Sequence, residues 1–197
     1  MRQAAAGVSL PRRLSSATEL AEGLTLRHLL LLLSLGIVAV VMHSALDRDL
    51  GLPGHHGLEW MALLVIARTN SRFRWAATAS CIGAATISPL PFWGFGDPFM
   101  PLIYLLPGPI MDIGYRVAGR QQHSLWFVAI LGGLAFATKP VARLAISTVL
   151  GWPYGSLLYG FAFPLFSHLM FGVLGASIGL GLVELAGRKK RVDPTRD

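Results

Sequence analysis

Long apolar runs broken by short polar connectors organise this chain, and the runs are too long for the strands or amphipathic helices of a soluble domain. The first is leucine-rich, from Leu29 to Val41, and predicts a helix over about 26–46. A turn-rich stretch from Asp47 to Gly57 leads to a second helix over about 57–68. A basic connector, Arg68 to Arg74, precedes a third helix over about 75–92, rich in Ala, Ser and Gly. A proline- and aromatic-rich stretch, 89–101, opens onto a fourth helix over about 99–118, interrupted by Pro107-Gly108-Pro109. Arg116 to His123 form another basic connector. Beyond it, 125–187 is almost continuously apolar and reads as two helices, about 125–150 and 156–187, turning near Gly151–Gly155. A bilayer core takes roughly 20 apolar residues per helix. The expected fold is therefore all-α: a polytopic membrane bundle of about six transmembrane helices over 25–187, between an N-terminal segment, 1–24, and a basic tail, 188–197.

Composition sharpens this picture. Of 197 residues, 53% are hydrophobic and only 14% charged, with a mean hydropathy of +0.56. That excludes a disordered chain and leaves no room for a large soluble domain. The net charge of +7 would suggest nucleic acid in a soluble protein, but here the cations cluster between apolar runs. All of the 17 Lys and Arg except Arg48, Lys139 and Arg143 fall in the N-terminal segment, at Arg27, in 68–74, in 116–123 or in the tail. The bias of cytoplasmic loops towards Lys and Arg then predicts a cell (inner) membrane protein with both termini in the cytoplasm. The single cysteine, Cys81, excludes an intramolecular disulfide and a cysteine metal cluster.

Charged side chains inside a membrane helix cost roughly 2.5–3.5 kcal/mol each on insertion scales, so each needs a reason. Lys139 and Arg143 lie four apart on one helix face. At about 1.5 Å per residue from Leu125, Lys139 is roughly 21 Å into a core of about 30 Å. Either the lysine snorkels outward along its stem, or the two form a cationic patch towards an outer cavity. Pro140 between them hints at a broken helix, where transporters often place binding groups. Asp112 lies one turn before Arg116, a favourable local ion pair, and in the first turn after Pro109, where a carboxylate suits the helix dipole. His55, His56 and Glu59 share a glycine-bounded turn, with His43 near the same end. They are weak candidates for a metal site, set against a simpler role at the start of the second helix. Trp60, Phe92, Trp93, Phe95, Phe99, Trp152 and Tyr154 map to the outer side and Phe73, Trp75, Tyr115 and Trp126 to the inner, as interfacial aromatic belts do. His168 reads as a hydrogen bonder in helix packing. The small residues of the third and sixth helices read as close-packing faces. The candidate substrate-binding set is thus Lys139, Arg143, His55, His56, Glu59, Trp93, Asp97, Trp152 and His43, with no catalytic motif among them.

The topology, together with Gly54-His55-His56-Gly57-Leu58-Glu59-Trp60 and Phe171-Gly172-Val173-Leu174-Gly175-Ala176, resembles the substrate-binding subunits (S components) of energy-coupling-factor transporters. The resemblance implies a bacterial membrane subunit that captures a small molecule, often a vitamin or metal ion, in an outward pocket roofed by a loop. It also implies a membrane coupling subunit and ATP-binding subunits as partners. The chain departs from that family in two respects. Its alanine-rich helix is the third rather than the first. It also begins Met1-Arg2, without the histidine after the initiator that marks the cobalt and nickel members. No Gly-x-x-x-x-Gly-Lys-Ser/Thr loop is present, so energy would come from another polypeptide or an ion gradient. Two other readings follow from the residues themselves: an intramembrane metal-dependent enzyme built on His55, His56 and Glu59, or a non-catalytic membrane scaffold.

Overall fold

A computed structural model describes residues 25–45, 52–90, 96–158 and 160–192, the last five of these in backbone only. Trp93, the acids Asp47 and Asp49, the N-terminal segment and residues 193–197 lie outside the described residues. The described chain is all-α. The helices are α1 (Leu26–Ala45), α2 (Gly57–Thr69), α3 (Ala76–Ile87), α4 (Met100–Leu105), α5 (Pro107–Ala118), α6 (Leu125–Leu150) and α7 (Ala162–Val192), with 3-10 turns at Gly119–His123 and Gly155–Leu157. The 125–187 stretch forms two long helices, as its pattern predicts. Helix α7 starts later than expected, at Ala162, and continues to Val192, into the segment read as tail.

The expected count of about six spans needs correction. Among the described residues, three helices are long and apolar enough to cross a membrane: Leu26–Ala45, Leu125–Leu150 and Ala162–Gly187. Helix α2 has 13 residues and α3 has 12, about 20 and 18 Å at the helical rise. The third helix ends at Ile87 rather than 92. The fourth is split at Pro107, whose ring suits a helix start. The short helices are interior elements: the core draws on Trp60, Met61, Leu64 and Val65 of α2 and Ala77, Cys81 and Ala84 of α3. Long-helix faces carry the apolar exposure, at Leu30, Leu134, Val149, Leu174 and Ile178. An apolar exterior on that scale marks a membrane-embedded chain.

Small residues allow the helices to meet backbone to backbone. A Cβ on Gly36 of α1 would clash with the Ser80 carbonyl of α3, and one on Gly83 of α3 with the Leu33 carbonyl of α1. On α7, Gly175 and Gly179 lie against the carbonyls of Gly57 and Ala62 in α2. The small-residue faces are therefore used inside the bundle, as small-residue spacing permits where no hydrophobic driving force separates helix from lipid.

One carboxylate joins three helices at the other end from the 52–56 turn. Asp112 of α5 is fully buried. It accepts hydrogen bonds from the Ala77 and Thr78 backbone amides, 3.1 and 2.8 Å, and from the Thr78 hydroxyl, 2.7 Å. The residue before α3 is Trp75, which makes no side-chain cap, so Asp112 supplies from a neighbouring helix the acceptor that an N-cap would give. Its charge also faces the positive end of the α3 dipole. Arg68 Nε, from the last turn of α2, stands 3.4 Å from Asp112 Oδ1. The expected partner, Arg116, is instead stacked on Trp75 at 4.6 Å, because Asp112 points inward while Arg116 lies on the exposed face of α5.

Asp112→Ala should lower stability by about 3 kcal/mol, since it leaves a partly buried guanidinium without its carboxylate and uncaps α3. Arg116→Ala should change it by less than about 1 kcal/mol. Thermal unfolding of the detergent-purified variants measures both; equal effects would mean that Asp112 is no junction.

Candidate functional site

The polar residues singled out by sequence gather at the end of the bundle built from the 52–56 turn, residues 96–100 and the 151–161 connection. Gly54 adopts a φ of +84 there, and a Cβ on it would run into the His168 ring. Glycine at this point lets the turn lie against α7 and brings two adjacent histidines into the bundle. His56 is buried, with its ring edge-on to His43 at 4.3 Å and to Phe136 at 5.2 Å. His55 is half-buried, its Nδ1 2.9 Å from the Leu52 carbonyl. His168 of α7 is buried, pairs through Nδ1 with the Pro164 carbonyl at 2.7 Å and stacks on Phe136 at 5.0 Å. That contact is the packing role its sequence context suggests. Glu59 is half-buried in the first turn of α2, where a carboxylate favours the helix dipole. Among the described residues, no three His, Cys, Asp or Glu side chains stand together closely enough to hold a metal ion.

Lys139 does not snorkel. It is 1% exposed, and its amino group lies over three ring faces: Tyr104 at 4.3 Å, Trp60 at 4.6 Å and Phe136 at 4.8 Å. His56 Nε2 is 3.5 Å away. The rings come from α2, α4 and α6, and the imidazole from the 52–56 turn. Ring faces and an imidazole lone pair are what a cation can use where no carboxylate is present. Trp60 therefore belongs to this internal cage rather than to an interfacial belt, as does Tyr104, which the sequence reading passed over. Tyr115 also departs from the belt reading, being 3% exposed. Trp126, at 79%, fits it. Helix α6 runs unbroken through Pro140, so the two cations stay one turn apart on one rigid face.

Arg143, one turn nearer the helix end, has a different setting. It lines a cavity of about 400 Å³ with Asp97, Met100, Trp152, Tyr154 and Ser156. Its Nε is buried and, among the described residues, has no hydrogen-bond partner. Its guanidinium faces the Tyr154 ring at 5.6 Å. Among the described residues, no carboxylate comes within ion-pair distance of Lys139 or Arg143. Asp97 is turned to local work: it accepts from the Phe99 amide at 2.9 Å and the Tyr154 hydroxyl at 3.4 Å. Burial and the Asp97 carboxylate push the Tyr154 pKa up to about 12, so that hydroxyl keeps its proton and donates. Trp152 closes the cavity edge against Phe99, ring centroids 5.7 Å apart.

The structure thus assembles Arg143, Asp97 and Trp152 around one cavity. It places Lys139, His43 and His56 in the packed layer a helical turn beneath, where Met100 on the cavity wall is followed by Tyr104 in the cage. Sequence missed Met100 as a lining residue, since an apolar side chain in a helix carries no mark of facing a cavity. The chain matches no protein-family model, no curated protein and no solved structure.

Two substitutions separate the cage from ordinary packing. Lys139→Met keeps the stem and removes the buried amine; its thermal midpoint should equal or exceed that of the parent. Lys139→Ala empties the centre of the cage and should cost about 2–5 kcal/mol. A Lys139→Met protein as unstable as Lys139→Ala would mean that the amine itself holds the cage together.

Proposed function

We propose that this protein is an integral membrane subunit that captures a small anionic molecule at its outer face and works with an energising partner, as the S components it resembles do. The observation that carries the reading is the cavity with Arg143 in its wall. Its volume falls within the range of small-molecule sites. It joins aromatic surface from Trp152 and Tyr154 to a guanidinium whose Nε lacks a partner, and Lys139, behind Arg143, adds a second basic group. A carboxylate or phosphate attached to an apolar or ring-shaped body complements that lining.

Sidedness follows from charge. The connectors at 68–75 and 119–123, the start of α1 and the end of α7 bring their Lys and Arg to the end opposite the cavity. By the positive-inside rule that end is cytoplasmic, and the cavity opens outward. The chain holds no nucleotide-binding loop, so the energy for release comes from an ATP-binding subunit through a membrane coupling subunit, or from an ion gradient.

The test is the small-molecule content of protein purified from its native membrane, read by mass spectrometry against the amount of folded protein. The parent should carry a stoichiometric anionic compound, and Arg143→Gln should bind it roughly ten- to a hundred-fold more weakly, the value of a charge-assisted hydrogen bond. Tagged parent protein should also bring down an ATP-binding subunit. Equal ligand content in Arg143→Gln at equal abundance would remove the site, and isolation of the chain alone from every preparation would remove the partnered mechanism.

A further inference from the structure

A second cavity, of about 340 Å³, lies at the other end of the bundle. Arg68 and Thr69 line it from the end of α2, Ser71 and Arg72 from the α2–α3 connector, Tyr115 from α5, and Gln122 and His123 from the 3-10 turn. Among the described residues, no carboxylate lines it. Asp112, the ion-pair partner of Arg68, spends its oxygens on the α3 amides, the Thr78 hydroxyl and Arg68 Nε. Parts of the lining are already committed. Arg68 Nη1 donates to the Ser71 carbonyl at 3.2 Å, the Thr69 hydroxyl to the Val65 carbonyl at 2.6 Å, and the Ser71 hydroxyl pairs with His28 Nε2 at 2.8 Å. Two groups are not. The Tyr115 hydroxyl is buried, on a side chain 3% exposed, and has no hydrogen-bond partner. Arg72 is exposed at the rim and enters no ion pair among the described residues.

A buried hydroxyl without a partner is costly unless something supplies an acceptor. The cavity around it offers donors and cations. Exposed apolar side chains follow its lining: Leu125 and Trp126, just after His123, are exposed at 52% and 79%. A polar, basic recess beside exposed apolar side chains, at the water end of membrane helices, has the two-part chemistry of a lipid head group and its chains. From this juxtaposition we propose that the cavity is a phosphate site, in which Tyr115 and Arg72 hold the phosphodiester of an anionic membrane lipid while its chains lie along Leu125 and Trp126. The site is independent of the cavity at Arg143 and stands whether or not that one binds a small molecule.

The experiment is native mass spectrometry of the full, delipidated chain in detergent, titrated separately with phosphatidylglycerol, phosphatidylcholine and inorganic phosphate. Phosphatidylglycerol should bind once per chain and more tightly than phosphatidylcholine, whose choline cation would meet Arg72. Arg72→Gln should weaken it about fivefold, the worth of one basic residue near an anionic surface. Tyr115→Phe should weaken it without lowering the thermal midpoint, because it removes a hydroxyl with no partner in the unliganded fold. Inorganic phosphate that binds and is lost with the same substitutions, while lipid does not bind, would support the phosphate site with the free ion as its occupant. Phosphatidylglycerol bound equally by parent, Arg72→Gln and Tyr115→Phe would overturn the proposal. So would equal binding of the two lipids, or an acidic polypeptide held at this end in place of either anion.

Discussion

The contact on which the rest depends is the buried Asp112 carboxylate. It caps α3 from α5 and faces Arg68 at the end of α2. In a membrane the free amides at a helix start have no water to turn to, so an acceptor must come from the protein. Helix α3 is only 12 residues long and begins in the interior, after a tryptophan that cannot cap it. Without Asp112 its first turn would be stranded, and with it the Gly36–Ser80 and Gly83–Leu33 approaches that seat α1 on α3. One side chain thus fixes where α3 starts, and that start sets which of its small residues meet α1.

The same constraint acts with the opposite sign at Lys139. Asp112 is satisfied by amides, a hydroxyl and a guanidinium, whereas Lys139 meets three ring faces and one imidazole. The difference follows from what each end of the bundle contains. Near Asp112 a helix N-terminus and an arginine are at hand; near Lys139, among the described residues, no carboxylate is within ion-pair range. Aromatic faces are the remaining interior groups with negative potential. The cage uses one residue from each of α2, α4 and α6, so the buried amine also registers the two short helices against a long one.

The long periodic features were legible in the sequence. The apolar runs at 26–46 and 125–187 became α1, α6 and α7, and the glycines and alanines became close helix contacts, because length and side-chain size act locally. What escaped was set by tertiary partners. Spacing alone paired Asp112 with Arg116, but the carboxylate points inward and finds Arg68, 44 positions earlier by numbering. Trp60 and Tyr115 read as belt residues because an aromatic near a span end looks the same whether it faces lipid or core. The short helices read as spans because burial inside a bundle and burial in lipid leave the same apolar signature. Of the candidate site, the cluster of polar residues at one end was visible, but the division into a cavity at Arg143 and a closed cage at Lys139 was not.

That division gives the two basic residues distinct but coupled roles. On a rigid helix, residues four apart sit about 5–6 Å from one another, and like charges at that spacing oppose each other. Arg143 is always cationic in a protein, so it disfavours charge on Lys139 beneath it. On the proposed reading, an anion held at Arg143 would offset that repulsion. The cage contacts α2 through Trp60 and the 52–56 turn through His56, so Lys139 links α6 to two interior elements. The unbroken path of α6 through Pro140 keeps the two groups in register.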